Sequence, residues 1–327
     1  MRKLIYGITA AIMLFGTAYT PADVNFFDAV ISADAAEAAE YTEDGFGCVN
    51  TEDGVRIVSY TGTDTDLVLP SVIRGRDVTS IAPYCFEFNN TLRHVTISDS
   101  IKDIGDHAFF GCRGLISADI PTGVTSIGNS CFWGCTKLEK VHIPDSVTVL
   151  GPLVFSGCTA LTDVALPSGL EVLPDYTFNS CRSLSDVTIP ESVTEIRYKC
   201  FTDCTSLKTL RIPKDAKIAD HAVGFYTEGS SCKLTEGFTM YVYHGSPAEE
   251  YAVRSGVPHL YADAVAGDVN ADGTVNVNDI ALIAAHIKGI APMDTGSAAR
   301  ADVNGDDHVT VTDLSMTAAH VKGKKSL

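Results

Sequence analysis

Between residues 268 and 279, side chains that end in oxygen fall at a spacing that suits a hard cation. Asp268, Asn270, Asp272, Thr274, Asn276 and Asp279 stand at positions 1, 3, 5, 7, 9 and 12 of one segment, with Gly273 at position 6 for the sharp turn. Calcium takes about six to eight oxygens, and this spacing wraps them round one point before the chain runs on. The pattern recurs 34 residues later as Asp302, Asn304, Asp306, His308, Thr310 and Asp313, with Asp307 at position 6. Aspartate tolerates the left-handed backbone that position requires, less readily than glycine. Position 12 is Asp in both segments, shorter than the Glu common in calcium loops. We expect two calcium ions, with the stretches Ile280 to Lys288 and Leu314 to Lys322 predicted to be helices that follow, rather than flank, the loops.

The unit from Gly267 to Lys325 holds eight acids, all Asp, against five basic residues, a net charge of -3. Clustered carboxylates repel one another until a cation neutralises them, so the unit is expected to fold poorly without metal. Other chemistry is sparse. The chain has no H-E-x-x-H, G-x-S-x-G or G-x-x-x-x-G-K segment, and no paired-carboxylate site stands out beyond the loops. We read it as not an enzyme.

The elements that carry this unit lie upstream, in a pattern that recurs every 23 residues. Ile97, Ile120, Ile143, Leu166, Ile189 and Ile212 form one column, and Leu92, Leu115, Leu138, Leu161, Leu184 and Leu207 another, five residues ahead of it. Phe86, Phe109, Phe132, Phe155, Phe178 and Phe201 repeat without a break, with Cys112, Cys135, Cys158, Cys181 and Cys204 three residues behind the last five. Stacked coils bury such columns as one continuous core that no single turn could bury alone. The step from Leu69 to Ile97 is 28 residues, which places a five-residue insertion on a loop within Ser71 to Asp77.

Ten cysteines would ordinarily suggest disulfides. Five of them share one core column in which Asn89 takes the first place, so the position does not require sulfur, and buried thiols are the expectation. Cys131 with Cys135 and Cys200 with Cys204 lie three turns apart, roughly 14 Å, too far to share a zinc ion.

Along the strands the outward positions form two columns: His94, Ser117, Lys140, Asp163, Asp186 and Thr209, beside Thr96, Asp119, His142, Ala165, Thr188 and Arg211. Neither holds an aromatic ring for stacking on sugars, and their mixed charge suits a protein partner. Trp133 and Phe110 occupy equivalent turn positions, where they either form an exposed aromatic edge or cover the core. The net charge of -17 and the lack of a Lys or Arg cluster argue against nucleic acid and anionic membranes. Arg2 and Lys3 precede an apolar run from Leu4 to Phe15, the pattern of an export signal. That run is shorter than the ~20 residues of a membrane span.

The repeat, with its I-P step and F-x-G-C turn, resembles the BspA-like (treponemal-type) leucine-rich repeats of bacterial surface proteins, and the two calcium segments resemble a type I dockerin. The resemblances imply a β-rich leucine-rich-repeat solenoid followed by a small all-α, EF-hand-like dockerin. The implied organisation is a signal peptide at 1–35, an N-terminal cap at 41–66, repeats at 67–213, a C-terminal cap at 214–261, a linker at 262–266 and the dockerin at 267–325. Dockerins plug their host into a cohesin domain of a scaffoldin in cellulosomes. Family contact positions fall here on Val277, Asn278, Ala284 and Ala285, and on Val311, Thr312, Ala318 and Ala319. His286 and Lys288, with His320 and Lys322, flank them at equal offsets, so two faces related by a pseudo-twofold are expected to serve one cohesin in two orientations. The implied function is a secreted, non-catalytic binding component of a polysaccharide-degrading complex. The rivals are a glycoside hydrolase-like subunit and a surface adhesin anchored by its dockerin.

Overall fold

A computed structural model describes residues 39–262, 265–270, 273–293, 295–323 and 327. The export signal expected at 1–35 lies outside them. Residues 41 to 60 form an antiparallel meander whose last strand pairs in parallel with the next coil, and the chain continues to residue 261 as a β-solenoid of about nine turns with about 23 residues per turn. Strands stack in parallel at the period of the sequence: Val95 lies opposite Ala118, and Val141 opposite Val164. A second row pairs Ser126 with Asp103 and with Val149. Because side chains alternate along a strand, Val95, Ala118, Val141 and Val164 point into the core while their neighbours face out.

The Phe column forms an unbroken stack through that core, with centroids 4.9 to 5.7 Å apart and planes within 19° of parallel. Each turn also holds a residue in the left-handed region at one fixed place: Tyr84, His107, Ser130, Leu153, Tyr176 and Lys199. Side chains there cost roughly 1 kcal/mol or more each. The turn persists because each of these N–H groups, from Tyr84 to Tyr176, donates to a carbonyl of the next coil at 2.8 to 3.0 Å.

The insertion is not an open loop. Val72 and Ile73 pair antiparallel with Asp77 and Arg76 across a two-residue turn, Arg74 and Gly75, both at positive φ (51° and 76°). Positive φ at both turn residues matches the twist of a tight hairpin, which absorbs the extra residues without disturbing the coil.

Past the last predicted turn the coil continues. Thr209–Arg211, Thr239–Val242 and His259–Tyr261 form one parallel sheet, and α1 (Pro247–Ser255) packs beside it, N-capped by Ser246 and ended by Gly256 at φ 74°. The C-terminal unit comprises α2 (Val277–Ile287), α3 (Thr295–Ala301) and α4 (Val311–Val321) around a small core of Val269, Ile283 and Ala301. α2 and α4 begin three residues before the predicted helices, because capping boxes Asn276/Asp279 and Thr310/Asp313 start them inside the loops. α3 leads directly into the second loop, so that loop is flanked by helices on both sides. Its Gly, Ser and Ala residues carry no apolar period, which hid it from the sequence reading. No helix among the described residues is long and apolar enough to cross a membrane.

Candidate functional site

The two loops share one hydrogen-bond scheme. The N–H of position 6 donates to the carboxylate of position 1, from Gly273 to Asp268 at 2.9 Å and from Asp307 to Asp302 at 2.7 Å. Both donors are left-handed, Gly273 at φ 85° and Asp307 at 66°, so the expected sharp turn forms with either residue. Position 12 is held from both sides. Asp279 Oδ1 accepts from the N–H groups of Val269 and Asn270, and Oδ2 from that of Asn276; Asp313 does the same with Val303, Asn304 and Thr310.

Asp279 and Asp313 are fully buried, and among the described residues neither meets a basic side chain. Burial alone raises a carboxyl pKa, yet hydrogen bonds led by Thr310 hold that of Asp313 below its ordinary value. With only backbone N–H groups and the Thr310 hydroxyl as partners, the buried Asp313 carboxylate lacks the charge that would compensate it, and a bound cation would supply one. In the second loop the Asp306 carboxylate lies 2.9 Å from the Asn304 amide, while Asp302 Oδ1 gathers the N–H groups of Gly305 and Asp306. Among the described residues no three His, Cys, Asp or Glu side chains close as a metal cluster. The loop donors alternate carboxylate with amide and hydroxyl, and Asp272 lies outside the described residues. The chemistry of these donors suits a hard cation such as calcium, which Asp268, Asn270, Thr274, Asn276 and Asp279 of the first loop and Asp302, Asn304, Asp306, His308, Thr310 and Asp313 of the second could hold. His308 is exposed, and its Nδ1 lies 2.8 Å from the Asp306 carbonyl, which raises its pKa.

α2 packs against α4. Of the docking positions expected from sequence, Val277, Asn278, Val311, Thr312, Lys288 and Lys322 are exposed, and Ala284, Ala285, His286, Ala318, Ala319 and His320 are half-buried. His286 is engaged within the unit, its Nδ1 accepting from the Met293 N–H at 3.0 Å. Two exposed apolar residues were missed: Leu282, and Ile290 directly after the α2 end at Gly289. A large apolar residue following a helix-ending glycine is a readable signal.

On the solenoid, both outward columns lie at the surface, with Ser117 the least exposed. The face is longer than the repeats, since Arg211 lies opposite Tyr241 and Tyr241 opposite Leu260. Arg211 donates to the Tyr243 hydroxyl at 2.6 Å, so an exposed Tyr, Arg and Leu row stands where the repeat columns hold no aromatic. Of the two alternatives for Trp133, the core cover is what forms: it is 3% exposed and stacks on Phe110 at 4.5 Å. In the Cys column each thiol donates to the carbonyl of a Phe one turn back, from Cys112 to Phe86 through Cys204 to Phe178, at 3.0 to 3.2 Å. Burial pushes these thiols up, Cys112 to about 12, so they are protonated and inert.

A family model described as BspA type leucine rich repeat region matches six copies over residues 67–184 and 125–239, and the type I dockerin domain matches residues 266–322. Among solved structures, a leucine rich repeat protein of T. pallidum is 26% identical over 67% of this chain and 97% of its own, with a TM-score of 0.51. Another from Bacteroides ovatus ATCC 8483 is 20% identical over 69% of this chain and 72% of its own, with a TM-score of 0.49. No curated protein matches the chain.

Proposed function

The chain belongs to the BspA-type leucine-rich repeat family and ends in a type I dockerin, and we propose that it is a secreted, non-catalytic binding component held in a cellulosome-like complex through a calcium-dependent contact with a cohesin. A type I dockerin implies cohesin-mediated attachment to such a complex, and a leucine-rich repeat domain fits a binding role. The observation that carries the reading is the repeated loop scheme, in which position 12 of each calcium loop is also the third residue of the docking helix.

Calcium, when bound, supplies the positive charge that the buried carboxylates require. Asp279 and Asp313 hold the loop backbone through Oδ1 and cap α2 and α4 through Oδ2 of the same carboxylate, so ordering a loop orders the helix that presents the docking residues. The two matching hydrogen-bond schemes support a reading of two ions, one per loop. The solenoid binds a protein partner on its open face. Arg211, Tyr241, Tyr243 and Leu260 supply the aromatic and arginine content that anchors protein contacts, and the acidic and basic residues upstream supply register.

The test is a pair of assays on the full chain. Immobilised type I cohesins should retain it in calcium, and incubation with plant polysaccharides should release no more reducing sugar than buffer. Reproducible sugar release by the pure protein would contradict the non-catalytic reading.

A further inference from the structure

The two repeats of the dockerin are not equivalent at their surface. α2 ends in a double-bonded turn: the Gly289 N–H donates to the His286 carbonyl and the Ile290 N–H to that of Ala285, with Gly289 at φ 69°. In this turn the residue after the glycine normally packs on the side chain of the residue whose carbonyl its N–H reaches. Here that side chain is only the methyl of Ala285, so it cannot cover Ile290, which is 73% exposed. Leu282, one helical turn before Ala285, is 39% exposed, and Val277 at the start of the helix is 67% exposed. The bond from Met293 to His286 fixes the chain just beyond Ile290.

The second repeat keeps the backbone and changes the surface. Gly323, at φ 66°, donates to the His320 carbonyl as Gly289 does to His286. The residue after it is Lys324, the counterpart of Leu282 is the half-buried Met316, and Ala281 is replaced by Ser315. Val311, 61% exposed, matches its partner Val277, and Ala318, Ala319, His320 and Lys322 match Ala284, Ala285, His286 and Lys288, so the difference between the faces lies at Ser315, Met316 and Lys324.

We infer that the α2 face, centred on Val277, Leu282, Ala285 and Ile290, is the face on which cohesin docks, and that the α4 face is not an equivalent alternative. The inference rests on the cohesin-docking reading and narrows it to one orientation. Exposed apolar residues on one repeat, carried by the same helix and its closing turn as the docking positions Val277 and Ala285, call for a cohesin whose contact surface is apolar rather than rich in hydrogen-bonding groups. An isoleucine left 73% exposed keeps most of its apolar surface in water, and burial in an interface removes it.

The experiment is calcium titration calorimetry of the full chain against a panel of type I cohesins, using wild type, Ile290→Lys, Leu282→Ser and Val311→Asp. Ile290→Lys installs the residue of the second repeat on the first, and circular dichroism confirms that each variant keeps its calcium-induced helix. The expected result is a loss of roughly tenfold or more for Ile290→Lys and Leu282→Ser, with Val311→Asp within about threefold of wild type. Wild-type binding with a larger loss for Val311→Asp, or with every single variant tolerated, overturns the one-face inference and leaves the docking reading standing. No binding of wild type to any cohesin overturns both.

Discussion

The Cys158 thiol donates to the Phe132 carbonyl one turn back at 3.2 Å, and that carbonyl also accepts from the Cys135 N–H. Sulfur therefore closes a ladder between coils as well as filling the core. A disulfide at this column would remove the donors from two such carbonyls. Intact mass measurement of the unreduced protein should find no loss of two hydrogens in peptides containing Cys112, Cys135, Cys158, Cys181 or Cys204. Cys158→Ala should lower unfolding free energy by about 1 to 2 kcal/mol, a small cavity plus one weak bond.

His107 makes stability sensitive to mild acid. Burial lowers its pKa to about 4, against an ordinary 6.5, with Asp106 pulling the other way, and its Nδ1 has no hydrogen-bond partner. The folded value is depressed, so the unfolded chain binds the proton more tightly and stability falls as pH drops from about 6.5 toward 4. The full loss is on the order of 3 kcal/mol. Urea midpoints at pH 7 and pH 5 should differ more for the wild type than for His107→Leu. Equal differences would contradict this.

Trp133, the single tryptophan, is buried against Phe110. Its emission should be blue-shifted and move to the red as the solenoid unfolds. Trp133→Ala should cost about 3 to 5 kcal/mol. A red emission in the native protein would favour the exposed edge over the core cover.

The dockerin should depend on calcium while the solenoid does not. The small core of Val269, Ile283 and Ala301 cannot by itself offset eight aspartates. Chelation should remove helical signal and leave the thermal transition of the solenoid in place. Asp313→Ala should mimic chelation at the second loop, since it removes both a ligand and the α4 cap.

Much of this was legible in the sequence because periodicity is a core property. Phe86 to Phe201 must recur every 23 residues if identical coils are to stack. The calcium loops were equally plain, since ligand spacing is local. What escaped depends on how local segments end. Ile73 and Asp77 read as loop residues because a two-residue hairpin leaves little alternation. α3 lacks an apolar stripe, and turn position alone left Trp133 open between an exposed edge and a cover on the core, a choice that its stack on Phe110 decides. Tyr241 escaped because it belongs to the cap, where the spacing to Arg211 is 30 residues rather than 23.

The central claim is calcium-dependent docking, and calorimetry of the full chain against type I cohesins, first in calcium and then in excess chelator, tests it most directly. One-to-one binding in calcium, abolished by chelator and restored when calcium is returned, is the predicted result. Binding of equal strength in chelator, or none in calcium across the cohesin panel, would contradict it.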